Sequence, residues 1–373
     1  MFRASPGKYD IGGTNMTKRF GVIGTGFSRG TQIPALILHP KTSVVGVASR
    51  TLKKAEKTAR DFDIPFWTTD YRELLAQNLD AVIITTPTVH HAEMTEAACE
   101  KGLHVICEKP TAMNATEAER MLKVAEKAGV VHMIDHEFRY VPVRAYAERL
   151  LRDGVIGALC MATIVGFSSF NHPEHARPHN WLSRKDMGGG VLGALASHQI
   201  DALRVWCGEI ASISGLTSTF IKERWSEDEQ DMLEVTSDDS YGFLIRFVSG
   251  AMGAVAVTSA AGGGRPTEVC LVGSRGTLRI INDQTILLTD SKGEEKELMA
   301  PDEFSALPGG ITSDQLDPTY HLQGPFLRLL ERFLQAIEKE QAAEGPTFVD
   351  GLMVQKCLDA IRASEKGWQR INP

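Results

Sequence analysis

The sequence predicts an α/β protein in which a doubly wound parallel sheet precedes an α+β domain. Three observations point there. Short apolar runs alternate with amphipathic segments over the first 140 residues, and a glycine-rich turn follows the first run. Beyond that point strand-like runs crowd together, broken by Ser-Gly, Arg-Gly and Lys-Gly pairs.

Residues 1–17 have no apolar signal-peptide core and read as a loose tail, with Met16 an alternative start. "RFGVIG" (19–24) is continuously apolar, as a strand buried on both faces should be. "TSVVGVAS" (42–49), "LDAVIITT" (79–86), "HVICEK" (104–109) and "VVHMIDHE" (130–137) repeat the type. Amphipathic segments at 52–62, 91–102 and 115–129 lie between them. Such βαβ alternation with tight links builds a parallel sheet, which binds ligands at the carboxyl ends of its strands. Residues 18–139 therefore read as a nucleotide-binding domain.

Residues 140–373 form the second domain. It opens with a helix, "VPVRAYAERLLRDG", and a long strand, "ALCMATIVGFSSF". An irregular stretch (171–187) leads to a helix bearing His198, and strands broken by turns fill 240–300. The breaks fit hairpins, hence an antiparallel sheet. Helices at 325–340 and 350–365 close the chain.

Composition narrows the partners. Net charge is −7 with no Lys/Arg-rich block, which argues against nucleic acid and anionic membranes. No apolar run approaches the roughly 18 residues of a membrane span. Six cysteines lack C-x-x-C spacing, so reduced thiols in the cytoplasm are expected rather than disulfides or zinc.

"GVIGTGFSRG" places Gly24-x-Gly26-x-x-x-Gly30 between strand and helix. Gly24 permits the tight turn and Gly26 lets a pyrophosphate approach the backbone, with Thr25 and Phe27 in the same cofactor-binding turn. Arg29 is irregular there, where a small residue would pack better. An NAD enzyme commonly ends its second strand on a carboxylate for the ribose hydroxyls. This chain has Ser49-Arg50. A guanidinium pairs with a 2′-phosphate and a serine hydroxyl donates to it, so NADP(H) is preferred and NAD(H) is the alternative. The competing reading of Arg50 is a solvated surface arginine. Lys109, after a strand and before Pro110, is kept off a helix and can polarise a substrate oxygen.

"GVIGTG", "TTPTVHHAE", "HVICEKP", "EFRYVP" and "GGGVLGALASHQID" occur in the order and near the spacing of the glucose–fructose oxidoreductase/inositol dehydrogenase family. The resemblance runs from Arg19 to the closing "FVDGLMVQKCLDAIRASEKG". It implies an N-terminal Rossmann domain and a large open antiparallel sheet that builds homodimers or homotetramers. It implies oxidation or reduction of a sugar, cyclitol or related carbinol with a nicotinamide cofactor. By position, Glu108 would meet the nicotinamide ribose, Lys109 the substrate oxygen, and His198 would transfer the proton. Thr86, Pro87 and His91 would line the cofactor cleft.

His198 shares a helix face with Val191, Ala194, Leu195, Ala202 and Val205, so its own surroundings fit a core histidine as well as a catalytic one. Many family members carry Asp where this chain has Ala194, one turn before the histidine. Asp201 is near enough to orient the ring, though a packing role competes. Two readings therefore stand beside the enzyme: a non-catalytic dinucleotide-sensing regulator and an NAD-dependent glycosidase. His172, His175 and His179 do not read as metal ligands, because Pro173 and Pro178 break the helical spacing. Asn180 and Trp181 read instead as a rim gripping hydroxylated substrate, with Arg139 a further cleft candidate or a structural ion pair.

Overall fold

A computed structural model describes residues 17–364 apart from Ala176, so the expected tail lies almost wholly outside the described residues. The first unit alternates β1 (Lys18–Ile23), α1 (Gln32–Leu38), β2 (Thr42–Ala48), α2 (Leu52–Asp61), β3 (Phe66–Thr68) and α3 (Tyr71–Leu75). It continues with β4 (Ala81–Ile84), α4 (His91–Glu100), β5 (His104–Cys107), α5 (Ala115–Ala128) and β6 (His132–Ile134). The six strands pair in parallel in the order β3-β2-β1-β4-β5-β6. The order reverses beside β1, so the crevice opens over the ends of β1 and β4. β3 and α3 were not read from sequence: "FWT" is three residues long and pairs only at the sheet edge.

Helix boundaries follow local chemistry. The Asn114 side chain accepts from Glu117 N at 3.0 Å and starts α5, and Gly129 ends it at φ +65°.

The second unit contains α6 (Pro142–Arg152), β7 (Leu159–Phe167), α7 (Ser197–Cys207), β8 (Ile210–Ser218), β9 (Glu223–Ser226) and β10 (Asp231–Glu234). β11 (Ser240–Phe247), β12 (Met252–Thr258), β13 (Arg265–Gly273), β14 (Gly276–Ile281), β15 (Thr285–Asp290) and β16 (Glu295–Leu298) complete its strands. Eight strands form one sheet, β16-β15-β14-β13-β7-β12-β11-β8, while β9 and β10 make a separate ribbon. The expected antiparallel sheet is in fact mixed, because β7 and β12 are parallel. The reason is α7, which serves as a crossover helix: it returns the chain so that β8 runs in the same sense as β7, and the β8-β11-β12 meander then meets β7 in parallel.

α8 (Asp302–Ser305), α9 (Gln323–Glu338) and α10 (Phe348–Ser364) finish the described chain. α9 packs its Phe326, Leu330 and Phe333 into one core with Phe20 and Leu36 of the first unit. α10 places Phe348 and Leu352 in the core under β4 and β5, and Leu358 and Ile361 in that of the eight-stranded sheet. Although sequence order assigns both helices to the second unit, their apolar faces are buried partly or wholly against the first. That packing fixes α7 over the strand ends.

Candidate active site

The glycine turn is built for close approach. Gly24 has φ +104°, and a Cβ there would fall 2.3 Å from the Thr85 carbonyl O. A Cβ on Gly26 would meet nothing within 4 Å, so that side of the turn is open. Ser28 Oγ donates to Gly24 O at 2.7 Å, closing the loop, and Phe27 is exposed beside it. Thr25 Oγ1 and Ser49 Oγ lie 2.8 Å apart, tying the first strand's turn to the second. Arg50 is exposed, whereas Arg29 turns away to α2 and bonds Thr58 (2.8 Å) and Asp61 (2.5 Å). An open backbone cradle with an exposed guanidinium at the second strand end fits a dinucleotide.

His91 corrects an expectation. Its ring is buried, with Nδ1 3.0 Å from Pro110 O and Nε2 2.9 Å from Thr86 O. Burial pushes it down to about 4, so at neutral pH one nitrogen donates and the other cannot. His91 therefore donates to one of these two carbonyls and is buried between the loops after β4 and β5 rather than exposed to the cleft. Thr86 lies against this ring through its carbonyl.

After β5, Glu108 and Lys109 point to different partners. The Glu108 carboxylate accepts from Gln32 Nε2 at 2.9 Å and from Lys109 N at 3.1 Å. Lys109 Nζ donates to Ala194 O at 3.2 Å. Residues Leu192–Ala196 form a π-helical turn that runs into α7, and such turns disturb the regular carbonyl pairing of an α-helix. At this position it is the backbone carbonyl of Ala194, and no side chain, that meets the lysine.

His198 is buried and lies flat on Phe138, centroids 4.0 Å apart at 10°. His136 meets its edge at 5.4 Å, and Nδ1 is buried without a partner. Burial, then Lys109, His136 and Arg144, hold the ring well below the usual histidine range. It is neutral at physiological pH.

Arg139 is drawn off the cleft. Its guanidinium is bidentate on Asp201, at 2.7 and 2.5 Å, and reaches Asp350 at 3.1 Å. Of the two roles the sequence left open for Arg139, the structure has the ion pair, which pins the segment after β6 to α7 and α10, and Asp201 is spent on Arg139. Asn180 lines a pocket that Ala194 also lines, and its Oδ1 caps Leu182 N at 2.8 Å. Trp181 is half-buried in the same turn and is not part of that pocket wall. His175 bonds Ser169 and His179 bonds Glu234 O, so the three histidines of this stretch do not converge.

Sequence reasoning missed Asp135 and Glu137, directly after β6. Gln32 Nε2 also donates to Asp135 Oδ2 at 2.6 Å, which joins Asp135 to Glu108 through one amide. Burial, then Glu137 and Glu108, push Asp135 well up, and burial followed by Glu108 pushes Glu137 up to about 8. Burial and like charge thus favour the protonated forms of these carboxyls. The signal was present: polar "DHE" at the carboxyl end of a buried strand is where such sheets place function.

Residues 18–136 match the GFO/IDH/MocA oxidoreductase family with its NAD-binding Rossmann fold, and residues 145–279 match that family's C-terminal domain. The chain belongs to this family. It is an oxidoreductase with an NAD-binding fold. An uncharacterized oxidoreductase of Synechocystis sp. is 29% identical over 94% of this chain and 95% of that protein. The levoglucosan dehydrogenase of Pseudarthrobacter phenanthrenivorans is 32% identical over 62% of this chain and 61% of its own length. A solved levoglucosan dehydrogenase in complex with NADH and L-sorbose superposes with TM-score 0.84 at 25% identity, over 94% of this chain and 97% of that one. Among the described residues no helix is long and apolar enough to cross a membrane.

Proposed function

We propose that the protein is an NADP(H)-dependent oxidoreductase acting on a carbinol or ketone carbon of a sugar, cyclitol or sugar derivative. One arrangement carries the reading. Lys109, at the end of β5, bonds the carbonyl of Ala194 one turn before His198, so a cation and a neutral imidazole flank the mouth of the parallel sheet. The nicotinamide supplies or receives the hydride when bound. Lys109 polarises the substrate oxygen, and the neutral His198 takes its proton in the oxidative direction. Glu108, anchored by Gln32, orients Lys109 through the adjoining backbone N–H.

Ser49 and Arg50, which is exposed and has no ion pair among the described residues, support NADP(H); the NADH held by the solved levoglucosan dehydrogenase supports NAD(H) as the alternative. That relative's sugar ligand also favours a hydroxylated substrate. The exposed Met161, Leu216, Leu244 and Met252 on the eight-stranded sheet support assembly as a homodimer or homotetramer through that sheet. Six free thiols fit the cytoplasm.

Following the near-ultraviolet absorbance of reduced nicotinamide, with NADP⁺ or NAD⁺ and a panel of sugars, cyclitols and sugar acids, tests the reading. Substrate-dependent reduction supports it. Tight dinucleotide binding with no turnover across the panel moves the assignment to a sensor, the reading Ala194 favours. Release of an aglycone without net redox change moves it to a glycosidase.

A further inference from the structure

A pocket whose wall includes Ala194 holds two arginines, Arg177 and Arg224. Arg224 is buried on β9, and its guanidinium donates to the backbone carbonyls of Asn171 (2.5 Å) and Arg177 (3.2 Å). The Arg177 guanidinium lies on the face of Phe170, 3.4 Å from the ring centroid, and makes no hydrogen bond or ion pair among the described residues. Burial and the charge of Arg224 both act against the Arg177 cation. Two like charges are held together in a partly closed space.

The pocket's own carboxylates are committed elsewhere. Asp239 Oδ2 accepts from Phe220 N and Ile221 N, each at 2.8 Å, and Oδ1 accepts from Ser240 Oγ at 2.9 Å. Asp238 Oδ2 accepts from Leu192 N at 2.6 Å, and burial pushes that carboxyl up to about 6. Neither forms an ion pair with Arg177 or Arg224. Arg224 gains partial relief from the charge of Asp239, and Arg177 gains none.

We infer that this pocket binds an oxyanion, carboxylate or phosphate, carried on the substrate and held by Arg177 and Arg224. The fork of a guanidinium matches both groups, and the stacked ring of Phe170 sets its plane in advance. Ala194 joins the two sites: its carbonyl holds Lys109 and its residue forms part of the pocket wall. An acid group anchored in the pocket would direct a hydroxyl of the same molecule past Ala194 to Lys109. The substrate class is then a sugar acid or sugar phosphate, a specification that rests on the oxidoreductase reading.

Calorimetric titration of the NADPH-saturated protein with D-gluconate, D-glucose 6-phosphate and D-glucose tests this. At least one anion should bind about ten-fold or more tightly than glucose, as a charge-assisted hydrogen bond predicts. Arg177→Gln should erase the preference while NADPH affinity is retained, Arg177→Lys should keep part of it, and added salt should weaken only the anion. Which anion wins separates carboxylate from phosphate. Equal binding of all three, binding of none, or a preference that survives Arg177→Gln overturns the assignment. The two readings fail separately: anion binding through Arg177 without turnover removes the redox reading, whereas turnover of neutral sugars without anion preference removes the oxyanion site.

Discussion

His198 lies 4.0 Å above the ring of Phe138, the two planes 10° apart, so one face of the imidazole is sealed from water by an aromatic side chain. Phe138 is in turn covered by the Arg144 guanidinium, 5.0 Å from its centroid, and Arg144 is bidentate on Asp283. The stack holds the ring in place and raises the cost of charging it. A neutral imidazole so held accepts a proton only while another group is ready to take it, and Lys109 with the carboxyl cluster stands beside it.

His198→Asn should lower the rate of carbinol oxidation by roughly 100- to 10,000-fold, the range expected for a lost general base, with dinucleotide affinity unchanged. The pH profile gives a second readout. Because burial lowers the folded-state value from 6.5, the ring stays neutral below that pH, and the acidic limb of kcat/KM should fall well under it. A limb centred at the ordinary histidine value and abolished by His198→Asn would show that the ring is solvated in the working enzyme.

Glu137 makes a stability prediction with a definite sign. Its folded-state value is raised from 4.5 to about 8, so between those limits the native state holds a proton that the unfolded chain has released. Stability from this group is full below the unfolded value and is lost as pH rises toward 8. Glu137→Gln, which cannot ionise, should therefore gain Tm over the wild type at the alkaline end and little at the acidic end. A constant difference across the range would place the charge elsewhere in the cluster.

These groups show what sequence could and could not reveal. Buried strands read directly, because residues 81–84 have no face that needs to be polar. β3 is too short to show a period, and the parallel β7–β12 pair depends on the path of α7, which no local pattern encodes. In the site, Gly24, Gly26 and Lys109 follow from turn geometry and strand ends. The partners of His91 and Arg139 do not, since a side chain's partner at 19 or 62 residues' distance is set only by the finished packing; for Arg139 the sequence left a cleft role and a structural ion pair both open. Arg177 and Arg224, 47 residues apart, meet for the same reason.

Arg139 separates a structural from a substrate-binding role. Arg139→Gln leaves the buried Asp201 without its bonded cation, while Asp350 keeps Arg204 at 3.2 Å, and removal of one partner of a buried pair costs about 3–5 kcal/mol. The variant should unfold at distinctly lower denaturant concentration yet keep the wild-type KM at temperatures where it is folded. A raised KM with unchanged stability would return Arg139 to the cleft.

The cofactor end is tested by a pair of substitutions with opposite scope. Gly24→Ala puts a methyl group 2.3 Å from Thr85 O at a φ of +104° and should weaken NADP⁺ and NAD⁺ together, since the turn itself must shift. Arg50→Ala leaves the turn alone and removes only the guanidinium. It should weaken NADP⁺ by about 10- to 100-fold, the worth of a charge-assisted hydrogen bond to phosphate, and leave NAD⁺ nearly unchanged. Arg50→Asp should go further and make NAD⁺ the better ligand, because a carboxylate accepts from ribose hydroxyls and repels the 2′-phosphate. Fluorescence titration of reduced and oxidised dinucleotides reads all three. Equal losses for both cofactors in Arg50→Ala would mean that Arg50 supports the adenosine pocket without reading the phosphate, and the preference would then pass to NAD(H).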